Sequence, residues 1–90
     1  MRTLFAPITI YTQPGCRPCH RIQQRLEDAG VDYDVVDITR NEEAKAYVTG
    51  VLKARSVPVI VTETHEPIIG DQPDKVDELI DYYTASETGL

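Results

Sequence analysis

Two cysteines three positions apart, Cys16-Arg17-Pro18-Cys19, stand where one hydrophobic period gives way to another, and this junction constrains the fold more than any other feature of the chain. Before them, Ile8-Thr9-Ile10-Tyr11 alternates and is rich in β-branched residues, the pattern of a strand entered from Pro7. Thr12-Gln13-Pro14-Gly15 reads as a turn. After them, Cys19, Ile22, Leu26 and Ala29 recur at intervals of three and four, the inward stripe of a helix that begins near Cys16 and stops at Gly30. Pro18 suits that helix only in its first turn, where its missing N–H breaks no intrahelical bond.

The rest of the chain continues the alternation. Tyr33 to Ile38 predicts a second strand with apolar members on both faces, as in a strand covered on each side. Thr39-Arg40-Asn41-Glu42 has capping-box spacing, and Ala44, Tyr47, Val48, Val51 and Leu52 form the expected buried stripe of a second helix that Gly50 weakens. Val59-Ile60-Val61 is a third strand, Glu63-Thr64-His65-Glu66 a polar hairpin connection, and Pro67-Ile68-Ile69 a short fourth strand. Gly70 turns the chain toward a last helix with Asp71 or Gln72 as cap, Pro73 in its first turn, and Val76, Leu79, Ile80 and Tyr83 packing inward. The order is β-α-β-α-β-β-α. It predicts a four-stranded mixed α/β sheet flanked by three helices.

Ninety residues support one hydrophobic core, so we expect a single domain over residues 1–84 and a flexible tail over 85–90. No apolar run is long enough to span a bilayer as a helix, and the N-terminal segment lacks the apolar core and cleavage site of a signal peptide. These points predict a cytoplasmic monomer without membrane partners. The net charge of -6 argues against nucleic acid, particularly with Asp71, Asp74, Asp77, Glu78, Asp81 and Glu87 set against Lys75 alone in the last 20 residues. Arg17, Arg21 and Arg25, with His20 among them, predict a local positive patch beside the cysteines.

A disulfide closing so short a loop removes little entropy from the unfolded chain, which makes a purely structural bridge a poor explanation of the pair. Redox chemistry explains it better. At a helix N-terminus, unpaired backbone N–H groups and the positive end of the helix dipole favour a thiolate over a thiol. Cys16 is therefore the expected nucleophile and Cys19, nearly one turn deeper, the resolving thiol. Arg17 adds positive charge beside Cys16, and His20 is a second candidate for tuning it, although solvent exposure is the simpler reading of both His20 and His65. Pro18 restricts the backbone between the sulfurs. Ser56-Val57-Pro58 is the second notable feature: a cis Val57–Pro58 bond would turn the Val57 backbone outward, where it could pair with an extended substrate.

On Ile8-Thr9-Ile10-Tyr11, Cys16-Arg17-Pro18-Cys19, Ser56-Val57-Pro58 and Gly70-Asp71-Gln72-Pro73-Asp74, the chain resembles the thioredoxin superfamily, and within it the small glutaredoxin-like proteins of the NrdH-redoxin kind. The resemblance implies the thioredoxin-like fold, a cis Pro58 near Cys16, substrate pairing at Val57, and a substrate-facing turn at Gly70 and Asp71. It also implies reduction of protein disulfides with no bound cofactor beyond the redox-active disulfide itself. For the NrdH kind, the client is ribonucleotide reductase, and electrons come from NADPH through thioredoxin reductase.

Departures keep a second electron source open. Arg17-Pro18 stands where glutaredoxins commonly have proline then tyrosine, and Ile69-Gly70-Asp71-Gln72 replaces a Gly-Gly-x-Asp glutathione stretch. The aromatic and basic residues of the corresponding NrdH segment are also missing. A glutathione-dependent glutaredoxin is thus the nearest alternative. A metal or iron–sulfur carrier using both cysteines as ligands is a further one, although a closed zinc site needs four ligands and the sequence offers no convincing fourth. A redox-inactive interaction domain is the last.

Overall fold

The computed structural model describes residues 7–87, with side chains described through Thr84. Its elements are β1 (Ile8–Thr12), α1 (Arg17–Asp28), β2 (Tyr33–Asp37), α2 (Glu42–Ala46), a π turn (Tyr47–Val51), β3 (Val59–Thr62), β4 (Ile68–Ile69) and α3 (Pro73–Glu87). The strands lie in the order β2-β1-β3-β4. β1 pairs parallel with β2, Ile10 beside Val35, and antiparallel with β3, where it faces Ile60. A parallel pair requires a crossover, which α1 supplies. β3 and β4 close antiparallel through the 63–67 connection. The expected thioredoxin-like α/β fold, a four-stranded mixed sheet flanked by three helices, is the observed one.

The period-two alternation of β1 and β3 divides the core. Ile8, Ile10 and Ile60 point to one side and join Ile22 and Leu26 of α1 and Val76 and Leu79 of α3. Val59, with Tyr11 and Val61 partly buried, points to the other and meets Ile38, Ala44, Val48 and Ala54. Burying an aliphatic side chain of this size contributes roughly 1.5–3 kcal/mol, so these two layers hold the helices to the sheet.

Four local expectations are corrected. β2 is an edge strand and Val35 is 45% exposed, so it is not covered on both faces. Thr39 does not cap α2: its backbone N–H and hydroxyl donate to Asp37 Oδ1 at 2.8 and 2.6 Å, forming the turn after β2. Asn41 is the cap, its Oδ1 accepting from the Ala44 N–H at 2.9 Å. The second helix keeps α geometry for only five residues before widening into the π turn that contains Gly50, as the weakening by Gly50 implies, but Val51 is 68% exposed and not part of the buried stripe. At α3, neither expected side chain caps. Gln72 Nε2 turns back to the Ile69 carbonyl, Asp71 binds Arg21, and the Gln72 carbonyl accepts the first helical bond from Val76 N–H.

α3 continues through Glu87, three residues into the segment expected as a tail from residue 85. The remainder of that segment, 88–90, lies outside the described residues.

Candidate redox site

The turn between β1 and α1 delivers the cysteines. Gly15 adopts φ +80°, a conformation glycine accepts without a Cβ clash, and Cys16 N–H closes the turn onto the Gln13 carbonyl at 3.3 Å. Cys16 is the N-cap of α1, with extended backbone angles, and Arg17 and Pro18 form the first helical positions. Pro18 breaks nothing there, since a first-turn N–H has no intrahelical acceptor. Cys19 follows within that first turn.

The pair forms a disulfide with its Cα atoms 5.3 Å apart. Cys19 N–H also points at Cys16 Sγ, 3.2 Å away. Cys16 has little exposed surface, 8%, yet it lines an open groove, whereas Cys19 is 0% exposed, on the buried face of α1 with Ile22 and Leu26. The two sulfurs are chemically identical in the disulfide, and this difference in access is what distinguishes them.

The groove has a volume of about 520 Å³ and runs from the β1–α1 turn to the π turn. Arg17 and Pro18 form one wall with Cys16, and Ser56 and half-buried Val57 form part of another. The Val57–Pro58 bond is cis and the Pro58 side chain is fully buried. The Val57 backbone enters none of the described hydrogen bonds. Gly70, at φ +87°, donates its N–H to the Pro58 carbonyl at 2.8 Å, which joins the turn before α3 to the cis-proline segment.

The structure does not gather every expected site residue. His20 is exposed and, like Gly70 and Asp71, does not line the groove. The expected positive patch on α1 is corrected as well. Arg17, Arg21 and Arg25 recur every four residues and so share one helix face that leads away from the cysteines. Arg21 Nη2 contacts Asp71 Oδ2 at 2.8 Å, and Arg25 Nε contacts Asp77 Oδ1 at 2.9 Å. The hydrogen bond from Arg25 holds the Asp77 carboxyl below its ordinary range. These pairs tie α1 to the Gly70 turn and to α3, and only Arg17 faces the groove.

The groove's remaining cations are not apparent from the sequence. Lys45 of α2 and Arg55, beside Ser56, both line it. Arg55 could have been found from its place next to Ser56-Val57-Pro58; Lys45 carried no local signal. The apolar floor comes from Ile38, Val48 and Ala54. Among the described residues, no group of three or more His, Cys, Asp or Glu side chains is placed to hold a metal ion.

Residues 8–66 match the Glutaredoxin family. The chain belongs to the glutaredoxin family. It is 83% identical to the Gene 56 protein of Mycobacterium phage D29 over all 90 residues, covering the whole of both chains. It is also 33% identical to the glutaredoxin-like protein NrdH of Escherichia coli K12 over 54 residues, which are 60% of this chain and 65% of that one. The solved structure of Escherichia coli NrdH-redoxin superposes with a TM-score of 0.73 at 29% identity, covering 80% of this chain and 92% of that one. With its Cys16–Cys19 disulfide in this fold, this glutaredoxin-family chain is a thiol–disulfide oxidoreductase related to the NrdH-redoxin type.

Proposed function

We propose that this chain reduces protein disulfides, with Cys16 as nucleophile and Cys19 as resolving thiol. The observation that carries the assignment of roles is the difference in access: Cys16 opens on the groove and Cys19 is sealed beneath it. In the reduced protein, the Cys16 thiolate attacks one sulfur of the substrate disulfide. That S–S bond breaks, a Cys16–substrate disulfide forms, and the departing sulfur takes a proton. Cys19 then loses its proton and attacks Cys16 Sγ, releasing the second substrate thiol and forming the Cys16–Cys19 disulfide. Two electrons pass to the substrate. The first-turn N–H groups of α1, including the Cys19 N–H beside Cys16 Sγ, favour negative charge on Cys16.

Within this reading, Val57 offers backbone hydrogen bonds to an extended substrate, Pro18 shapes its approach from the groove wall, and the Gly70 N–H on the Pro58 carbonyl holds the Val57 segment in place. Arg17 tunes and docks. His20 is left with no role that its exposed position supports. The protein works in the cytoplasm, where a reductase using NADPH returns the disulfide to the dithiol. The likeness to NrdH-redoxin, a protein described as having a thioredoxin-like activity profile, supports thioredoxin reductase as that electron source and ribonucleotide reductase as the client.

Two experiments test this. Cys19→Ser should accumulate mixed disulfides through Cys16 and Cys16→Ser should not; the reverse pattern overturns the roles. Oxidised protein should be reduced by NADPH with thioredoxin reductase faster than by glutathione. Fast reduction by glutathione alone, with no reductase turnover, overturns the assigned electron source.

A further inference from the structure

The groove beside Cys16 carries one sign of charge. Arg17, Lys45 and Arg55 line it, and none of the described acidic residues does, although the chain holds 15 aspartates and glutamates against nine lysines and arginines. The described ion pairs, Arg21–Asp71 and Arg25–Asp77, leave all three cations aside. Three cations lining the groove that holds Cys16, none of them in an ion pair among the described residues, form a local inversion of charge in a chain of net charge -6. Such an inversion selects and steers a partner of opposite charge.

The cations come from three separate segments. Arg17 follows the N-cap of α1, Lys45 lies on α2 ahead of the π turn, and Arg55 precedes Ser56 and Val57. All three line the same groove as Val57, whose apolar lining includes Ile38, Val48 and Ala54, so an extended chain pairing at Val57 would lie among them.

We propose that Lys45 and Arg55, with Arg17, select as substrate an acidic extended protein segment whose disulfide is flanked by aspartate or glutamate. This deepens the disulfide-reductase reading and rests on it. A nucleic acid would present the same charge, but a long polyanion would also meet the acidic remainder of the surface. Glutathione is the other source of carboxylates. It also carries an ammonium group, for which the groove offers no carboxylate; Asp71 lies outside it, bound to Arg21 at 2.8 Å. A wholly anionic segment matches the charge of the groove better.

The test uses the full chain, reduced beforehand and freed of reductant, and two disulfide-bonded peptides that differ only in glutamate against glutamine beside the cysteines. Glutathione disulfide serves as a third substrate. The native protein should reduce the acidic peptide with a second-order rate constant about tenfold larger at low ionic strength, and the preference should shrink toward unity as about 0.5 M salt screens the charges. In the double variant Lys45→Glu, Arg55→Glu, both sites being exposed, the acidic-to-neutral ratio should fall to one or below.

Equal rates for the two peptides in the native protein, or a ratio unmoved by charge reversal, overturn the proposal while leaving the reductase reading intact. Glutathione disulfide reduced faster than the acidic peptide assigns the cations to glutathione and also overturns it. Failure to reduce any of the three substrates overturns the reductase reading itself, and the proposal with it.

Discussion

Leu26→Ala tests whether α1, the helix that presents both cysteines, is held to the sheet as the core implies. Leu26 is fully buried among Ile8, Ile10, Ile22 and Leu79. Removing its three outer carbons forfeits about 2.4 kcal/mol at about 0.8 kcal/mol per carbon. The cavity left in a rigid layer raises the cost to roughly 3–4 kcal/mol, within the range measured for buried leucines. A domain of this length has a total stability on the order of 5–13 kcal/mol, so the variant should fold but melt early. Urea unfolding followed by circular dichroism, both proteins held as the Cys16–Cys19 disulfide, should show the midpoint falling by about 2–4 M for a slope near 1–1.5 kcal/mol/M. Val51→Ala is the control. Val51 is 68% exposed, and its truncation should cost less than about 0.5 kcal/mol. A loss below about 1 kcal/mol at Leu26, or an equal loss at both sites, refutes the packing argument.

Two further outcomes follow from the caps and the helix-to-helix ion pair. Asn41→Ala should lower stability by about 1 kcal/mol in the same urea assay, because the Ala44 N–H loses its acceptor, and Asn41→Asp should restore most of it. Arg25 holds the Asp77 carboxyl below its ordinary value of 3.8, so the pair's contribution is present above that value and is lost as pH falls through the depressed one. Melting temperatures of the native protein and Asp77→Asn should therefore differ most near neutrality and converge in acid; a gap that widens on acidification contradicts the pairing.

The order of elements and the two cysteines were legible in the sequence because both rest on local patterns. Alternation in β1 and the three-four spacing of Cys19, Ile22 and Leu26 each reflect the face a residue must present, and the structure uses those faces. What the sequence did not disclose depends on neighbours distant in the chain. Thr39 has the spacing of a cap, but Asp37 captures its hydroxyl, and Asn41 takes the task. Val51 has helical spacing, yet the π turn shifts the register and exposes it. The arginines of α1 suggested charge beside the thiols until α3 and the Gly70 turn supplied Asp77 and Asp71 as their partners. Lys45 and Arg55 reach the groove only because α2 and the segment before Pro58 converge there.

Alkylation of the reduced native protein with limiting iodoacetamide at neutral pH, mapped by peptide mass spectrometry, probes the division of labour between the sulfurs most directly. Label should enter at Cys16 well before Cys19, since one opens on the groove and the other is fully buried on the inward face of α1. Label at Cys19 first, or at both together while the protein stays folded, would contradict it.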